Sequence, residues 1–207
     1  PLPGDVLDTF SKIFPVPLIE GYGLTEATAI VSVNLPEKCK PGSIGPPLDN
    51  LEVKIVNENG LSQPVNKEGE IWVKGPNIMR GYYNLSKETA ETITSDRWLK
   101  TGDYGKLDEE GFLWITGRKK ELIIISGENV SPNEIEQVIS EHEKVFEVAV
   151  VGVADKVRGE VARAFVALHE HATCTEEEIR EYCEQRLPHY KVPKYFEFRK
   201  ELPHGPT

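Results

Sequence analysis

The sequence has no long apolar run and lacks the usual signals that direct a protein to or across a membrane. No stretch approaches the roughly 20 apolar residues that a helix needs to span a bilayer. Residues Pro1 to Asp5 do not resemble the start of a secretory signal peptide. The first residue is also not methionine, so we expect position 1 to be an internal point of a longer protein. We therefore predict a cytoplasmic protein whose contact with membranes, if any, is peripheral.

Cysteine is scarce, and its spacing argues against a disulfide scaffold. The three cysteines, Cys39, Cys174 and Cys183, form no Cys-x-x-Cys pair and are odd in number. Free thiols of an intracellular protein explain them better than a disulfide framework or a zinc site does. His169 and His171 have no third metal ligand nearby in the sequence, so we do not expect a metal there.

Positive charge is also in deficit, because the sequence has 24 basic and 34 acidic residues and a formal net charge of −10. This balance argues against nucleic acid or an anionic membrane as the main partner. One local exception is the basic run Arg118-Lys119-Lys120, which can bind a phosphorylated small molecule. A solvated charge run is the alternative interpretation of this segment taken alone.

Apolar residues alternate with polar ones in the part of the chain before this basic run. Leu51, Val53 and Ile55 show the alternation, and residues 70–74 repeat it after a turn. Such a pattern is typical of half-buried strands joined into a small antiparallel sheet or barrel. We therefore predict a β-rich first body over residues 1–117.

After the basic run, the pattern changes to strands interleaved with helices. Residues 145–153 and 161–168 are nearly continuous apolar runs, as in buried strands. Two helix starts carry a capping box, in which a hydroxyl residue precedes a glutamate by three positions. These pairs are Ser131 with Glu134, and Thr175 with Glu178. We predict a compact α+β domain over residues 118–207 and an α+β fold class for the whole chain.

A glycine-punctuated loop at residues 21–26 carries the parts that a nucleotide site needs. Tyr22 can stack on a base, Gly23 allows the backbone to approach a ligand, and Thr25 can contact a phosphate. Glu26 offers a carboxylate for Mg²⁺, which prefers oxygen ligands shared with substrate phosphates. An ordinary turn with a Thr-Glu pair is the alternative interpretation of this loop in isolation.

Two further residues could complete such a site. Asp103, at the end of Thr101-Gly102-Asp103, can accept hydrogen bonds from both hydroxyls of a ribose, although ordinary Gly-Asp turns are common. Arg118 can donate to the same ribose or to a phosphate through its fixed fork of N–H groups. Their occurrence in one order with the loop at 21–26 favours a shared nucleotide site over separate turns.

This order of motifs resembles the adenylate-forming superfamily, which includes acyl-CoA synthetases, peptide-synthetase adenylation domains and luciferases. The matching segments span nearly the whole chain and, as an ordered set, are highly specific. They are Gly21-Tyr22-Gly23-Leu24-Thr25-Glu26, Gly69 to Gly75 with Gly81-Tyr82, Thr101-Gly102-Asp103, and Gly117-Arg118-Lys119-Lys120 continuing through Ser126-Gly127 to Glu134. The form of the first segment looks more like fatty-acyl and aryl-CoA ligases than like peptide-synthetase domains.

The resemblance implies a role for each matched residue. Tyr22 would stack on adenine, Thr25 would contact the α-phosphate and Glu26 would bind Mg²⁺. Asp103 and Arg118 would hold the ribose hydroxyls of ATP or AMP. The remaining implied roles are the hinge between the two bodies (Lys120), the loop on the coenzyme A side (Ser126, Gly127 and Glu128) and the border of the acyl site (Gly23, with Ala29 or Ile30).

The resemblance also implies a two-step reaction that uses ATP, Mg²⁺ and coenzyme A. A carboxylate attacks ATP to give an acyl-adenylate and pyrophosphate, and the thiol of coenzyme A then displaces AMP. The first step joins two anions, so it needs Mg²⁺ and positive charge. A fatty acid is the expected substrate. The alternatives are an aryl or dicarboxylic acid, or a nucleotide-binding module without catalysis.

The chain departs from the family pattern at both ends. The terminal Gly-Lys of the family would follow Thr207, so the catalytic lysine is not among these residues. The Gly/Ser/Thr-rich phosphate loop of the family would precede Pro1. We therefore expect the last part of a large adenylation domain over 1–117 and most of a small mobile domain over 118–207. We also expect this chain alone to be inactive.

Overall fold

Two compact units make up the chain, and each is described by itself. The computed structural model describes residues 4–204, with side chains from Thr9 onward. The units are Pro1–Lys119 and Lys120–Thr207, so the division between them lies two residues beyond the one predicted at 117/118. Within residues 4–204, none of the helices has the length and apolar character needed to cross a membrane.

The first described elements of the first unit are helix α1 (Gly4–Ile13) and a two-stranded antiparallel sheet. The two strands are β1 (Gly21–Tyr22) and β2 (Ser32–Val33), and a 3₁₀ turn, Thr25–Ala27, lies between them in the chain. Ala27 is fully buried in the hydrophobic core of this unit. The loop that carries the candidate nucleotide residues is therefore anchored by strands on both sides and by a core residue in its middle.

A four-stranded antiparallel sheet follows, with the strand order β3-β4-β5-β6. Its strands are β3 (Glu52–Val56), β4 (Gly69–Lys74), β5 (Leu99–Leu107) and β6 (Leu113–Arg118), and helix α2 (Ser86–Thr92) lies between β4 and β5 in the chain. Successive side chains of a strand point to opposite faces, and on β4 the alternate residues Ile71 and Val73 are fully buried. The antiparallel sheet predicted for the first body is confirmed.

Within residues 120–204, the second unit has two α-helices packed on a five-stranded sheet, and a 3₁₀ turn at His189–Lys191. Its elements in chain order are β7 (Ile123–Ile125), β8 (Glu128–Val130), α3 (Pro132–Ser140), β9 (Val145–Asp155), β10 (Gly159–Leu168), α4 (Glu176–Glu184) and β11 (Tyr195–Arg199). β10 pairs with β7 and β9 antiparallel and with β11 parallel. Ile135, Ile139 and Ile179 of the helices share one core with Ala164 and Val166 of β10. The α+β fold class is confirmed.

The two predicted helix starts differ in their capping contacts. Thr175 caps α4 as predicted, since its hydroxyl accepts a hydrogen bond from the N–H of Glu178 at 3.2 Å. Ser131 occupies the cap position of α3, but its side chain makes no capping hydrogen bond there. Glu134, the glutamate of that predicted capping box, accepts hydrogen bonds from Lys191 at 2.6 and 2.7 Å. An ion pair with a distant residue therefore engages the carboxylate that the local motif requires.

Candidate active site

The loop between β1 and β2 leaves no space for a side chain at Gly23. A Cβ atom added there would lie 1.3 Å from the carbonyl oxygen of Ala29, far inside contact distance. Thr28 and Ala29 have φ angles of 49° and 78°, in the left-handed region. The loop therefore turns back on itself at close range, and Thr25 and Glu26 lie on the 3₁₀ turn that this produces.

Three of the predicted site residues meet where this loop reaches the four-stranded sheet. The hydroxyl of Tyr22 donates a hydrogen bond of 2.6 Å to Oδ2 of Asp103. Arg118 is the cross-strand partner of Asp103 on β5 and β6, and its Nε lies 3.5 Å from Oδ1. The side chain of Asp103 is only 12% exposed, whereas that of Arg118 is 70% exposed. A carboxylate held inside the unit thus lies beside a guanidinium that a ligand can reach.

The surroundings of Tyr22 keep its hydroxyl protonated. Burial, followed by the hydrogen bond to Asp103 and its negative charge, raises the pKa of Tyr22 well above its ordinary value. The phenol is therefore a hydrogen-bond donor throughout the physiological pH range. A ribose that reaches Asp103 would meet a carboxylate already oriented by Tyr22, which suits the ribose-binding role predicted for Asp103.

Glu26 is engaged by a residue to which the sequence assigned no role. The hydroxyl of Tyr82 donates a hydrogen bond of 2.7 Å to Oε1 of Glu26. Tyr82 belongs to the Gly81-Tyr82 segment of the family resemblance, and that membership was the one signal pointing to it. The other oxygen of the carboxylate, Oε2, lies outside this hydrogen bond and suits a hard cation that prefers oxygen ligands. The residues present thus fit the magnesium role predicted for Glu26.

The turn that carries Glu26 is held in place by residues 75–82. Four hydrogen bonds form this clamp: Asn77 Nδ2 to the carbonyl oxygens of Ala27 (2.8 Å) and Ile30 (3.1 Å), Thr28 Oγ1 to the carbonyl of Asn77 (2.7 Å), and the N–H of Met79 to the carbonyl of Glu26 (2.8 Å). Asn77 was not among the predicted site residues. Its amide contacts residues 50 and 47 positions away, and no local pattern reports such a contact.

The other predicted site residues lie in the second unit. Lys120 is the first residue of that unit and is exposed. Ser126 and Gly127 form the two-residue turn between β7 and β8, with φ angles of 53° and 88°. Two positive φ angles in such a turn are typical of a type I′ hairpin. Ser126, Gly127 and Glu128 are all exposed, and their place on the coenzyme A side stays a prediction.

A different cluster in the second unit has the donor types of a metal site. Ligand atoms of His142, Cys174 and Glu178 lie within 4.8 Å of one another. However, the ammonium of Lys144 pairs with Oε1 of Glu178 at 2.7 Å, and its backbone N–H donates to Nδ1 of His142 at 3.3 Å. Because Nδ1 accepts this bond, the proton of neutral His142 resides on Nε2, the nitrogen that faces Glu178. A lysine thus supplies the positive charge of this cluster, and the geometry supports no metal assignment.

Comparison with known proteins identifies the family. The family model described as AMP-binding enzyme matches residues 1–83. The model of the AMP-binding enzyme C-terminal domain matches residues 134–207. The two matches together cover more than half of the chain and include the loop at 21–26.

Named relatives agree with these matches. The long-chain-fatty-acid–CoA ligase of Bacillus subtilis (strain 168) is 46% identical over 98% of this chain and 36% of that protein. The ATP-bound structure of MatB from Rhodopseudomonas palustris has a TM-score of 0.91 at 34% identity, over 100% of this chain and 41% of its own. O-succinylbenzoate coenzyme A synthetase (MenE) from Bacillus subtilis, in complex with ATP and a magnesium ion, has a TM-score of 0.85 at 38% identity, over 98% and 42%.

The chain spans about a third of the length of the curated relatives it matches. Both family models match within that third. The first match includes the nucleotide loop at 21–26, and the Asp103–Arg118 pair lies between the two matched ranges. The chain therefore belongs to the AMP-binding enzymes, the adenylate-forming superfamily.

Proposed function

We propose that the protein containing this chain is an ATP-dependent acid–CoA ligase that acts on fatty acids. It would couple a carboxylate to the AMP moiety of ATP with release of pyrophosphate, and then transfer the acyl group to the thiol of coenzyme A. The observation that carries the proposal is the meeting of Tyr22, Asp103 and Arg118, with Glu26 on the loop that follows Tyr22. The identity to a protein named long-chain-fatty-acid–CoA ligase supports a fatty acid as the substrate.

The geometry of the first unit suits the adenylation step. Tyr22 offers its ring for stacking on adenine while its hydroxyl orients Asp103, whose carboxylate accepts the ribose hydroxyls. Arg118 lies exposed beside Asp103 and donates to the same ribose. Thr25 would contact the α-phosphate, and Glu26 would hold Mg²⁺, whose positive charge would offset the charge of the two anions that react.

We assign the second unit to the thioester step. Lys120 would be the hinge, and the support for this role is that the second unit begins at this residue. Ser126, Gly127 and Glu128 would line the path of the coenzyme A thiol. Their exposure on a tight hairpin supports that role, because such a turn projects its backbone from the sheet into a neighbouring space.

An acid-dependent exchange assay on the intact protein tests the proposal. Labelled pyrophosphate should enter ATP only when a fatty acid is present, and a CoA thioester should form once coenzyme A is added. Asp103→Asn tests the site directly, since it keeps the shape of the side chain but removes its charge. This variant should raise the KM for ATP. ATP binding without either activity, across a broad panel of acids, would instead indicate a nucleotide-binding module without catalysis.

An aryl or dicarboxylic acid is the second candidate substrate class. The likeness to o-succinylbenzoate coenzyme A synthetase favours it, since that acid carries an aromatic ring and two carboxylates. Gly23, with Ala29 or Ile30, would border the acyl group in either case. Ranking fatty, aryl and dicarboxylic acids by kcat/KM separates the two classes, because the preferred class should exceed the others by orders of magnitude rather than by a small factor.

We further propose that the 207 residues alone do not form acyl-adenylates. The support is that they include neither the Gly/Ser/Thr-rich phosphate loop nor the terminal Gly-Lys of the family motif. The purified chain should therefore show no pyrophosphate exchange with any acid. Exchange above the level of an Asp103→Asn variant of the same chain would contradict this expectation.

A further inference from the structure

We propose that Tyr82 is a positioning residue for Glu26: its hydroxyl holds one oxygen of the carboxylate so that the other is presented to Mg²⁺. The inference rests on the proposed function, because it assumes that Glu26 is the magnesium ligand. It adds to that function a residue that determines how well the ion is bound.

The contact between the two side chains is specific in its geometry. The Tyr82 hydroxyl lies 2.7 Å from Oε1 of Glu26, within the range of a strong O–H···O⁻ bond. A carboxylate with one oxygen held in this way keeps Oε2 in one orientation, in which it would be available to a hard cation.

Tyr82 is itself fixed at its backbone. Its N–H donates to Oγ1 of Thr89 at 2.9 Å, and that hydroxyl donates to the carbonyl oxygen of Leu85 at 2.7 Å. Thr89 also packs against Gly81, where an added Cβ would lie 2.6 Å from Cγ2 of Thr89. Helix α2 therefore sets the position from which the Tyr82 ring reaches Glu26.

The backbone of Glu26 is fixed from the same stretch of chain. Its carbonyl oxygen accepts a hydrogen bond from the N–H of Met79 at 2.8 Å, three residues before Tyr82. One short segment thus holds both the backbone and the side chain of Glu26. In a variant without the phenol, the Glu26 side chain would be mobile before the ion binds and would become ordered on binding. The conformational entropy lost at that step would weaken binding of the ion.

The test compares Tyr82→Phe with Tyr83→Phe in the intact protein. Both changes delete one phenolic oxygen, but Tyr83 is 90% exposed. In pyrophosphate exchange, Tyr82→Phe should raise the Mg²⁺ concentration for half-saturation about tenfold, the lower end of the range for loss of a supporting hydrogen bond. The kcat at saturating Mg²⁺ should change little, and Tyr83→Phe should behave as the unaltered protein.

Binding of Mn²⁺ in the presence of ATP, followed by electron paramagnetic resonance, gives a second readout that does not depend on turnover. Tyr82→Phe should weaken Mn²⁺ binding by a similar factor. In a Glu26→Gln background, Tyr82→Phe should have no further effect, because the two residues act as one unit.

A lowered melting temperature with unchanged Mg²⁺ and Mn²⁺ dependence would overturn the inference and leave Tyr82 a structural role. Absence of exchange in the unaltered protein would overturn the proposed function, while weaker Mn²⁺ binding in Tyr82→Phe would still support the positioning role.

Discussion

The two units support their candidate residues in different ways. In the first unit, Tyr22 is hydrogen-bonded to Asp103, 81 residues away, and Glu26 to Tyr82, 56 residues away. In the second unit, the Ser126-Gly127 turn takes its shape from two positive φ angles in neighbouring residues. The first kind of support depends on contacts between side chains of distant segments. The second depends mainly on local backbone conformation, together with one backbone hydrogen bond of 2.8 Å from the N–H of Ser126 to the carbonyl oxygen of Arg158.

This difference indicates where substitutions should be felt. Loss of a distant contact disturbs both of the segments that it joins, whereas strain in a local turn stays near its two strands. The strands beside the Ser126-Gly127 turn are anchored separately, because Ile123, Ile125 and Val130 lie in the core of the second unit. We therefore expect larger effects from changes in the first unit.

Gly23→Ala should have the largest effect. The added Cβ would lie 1.3 Å from the carbonyl oxygen of Ala29, so the loop has to rebuild. We expect the free energy of unfolding to fall by about 3 kcal/mol. We also expect ATP binding to the intact protein to be lost in calorimetry, because Tyr22 and Glu26 lie on either side of Gly23.

The matched control for Gly23→Ala is Gly111→Ala. Gly111 has a φ of 81°, but a Cβ there would meet nothing within 4 Å. Its substitution should cost about 1 to 2 kcal/mol of backbone strain and leave ATP binding unchanged. Equal ATP affinities of the Gly23→Ala variant and the unaltered protein would show that the loop does not carry the nucleotide site.

Tyr22→Phe should have the next largest effect on the first unit. The change keeps the ring but removes a hydrogen bond to the buried carboxylate of Asp103. Urea unfolding should show a loss of about 1.5 to 3 kcal/mol, the range for a hydrogen bond to a charged group. ATP affinity should also fall, since Asp103 loses the donor that orients it. Unfolding at the same urea concentration as Tyr83→Phe would refute the proposed importance of this distant contact.

Asp108 gives the first unit a contribution to stability that depends on pH. Burial alone would raise the pKa of Asp108, but hydrogen bonds outweigh it and lower the pKa to about 2. The donors are the ammonium of Lys40, the N–H groups of Phe112 and Glu110, and the indole of Trp114. Lys40 lies 68 residues away in the chain, so this too is support by a distant contact.

A carboxyl group with a depressed pKa stabilises the folded state above its unfolded pKa of 3.8, and this contribution is lost as the pH falls through about 2. Asp108→Asn should therefore melt at a lower temperature than the unaltered protein at pH 7. The difference should shrink between pH 4 and about pH 2. A difference that stays constant down to pH 2 would mean that the charge of Asp108 is not involved.

Gly127→Ala should have the smallest effect of the set. Its φ of 88° strains an alanine by about 1 to 2 kcal/mol, but no atom lies within 4 Å of the added Cβ. Hydrogen exchange should quicken for the amides of β7 and β8 and stay unchanged in the first unit. A fall in ATP affinity would break the distinction between local and distant support.

Short-range patterns in the sequence predicted most of the fold. Alternation located β3 and β4, and continuous apolar sequence located β9 and β10, because burial of one or both faces leaves its mark on neighbouring residues. The cap at Ser131 is a different case, because its side chain makes no capping hydrogen bond. The carboxylate of Glu134 pairs with Lys191, 57 residues away, and a local motif carries no record of that partner.

The candidate site divides in the same way. Residue type and chain order were enough to propose Tyr22, Glu26, Asp103 and Arg118 as ligands of one nucleotide. The Tyr82–Glu26 bond and the Asn77 clamp could not be predicted, because they exist only once the loop and residues 75–82 have come together. The sequence thus predicted the groups that face a ligand better than those that hold them in place.

The central claim is that the first unit serves adenylation and that the second, beginning at Lys120, serves thioester formation. Its most direct test is to measure both half-reactions in a Lys120→Pro variant of the intact protein. Proline fixes φ at about −65° and removes an N–H, so rotation at this position is hindered. The control Lys120→Ala removes the side chain but leaves φ free and keeps the N–H. The account predicts that proline slows thioester formation far more than acyl-adenylate formation, with both steps retained in the alanine variant. Equal loss of the two half-reactions in the proline variant would contradict it.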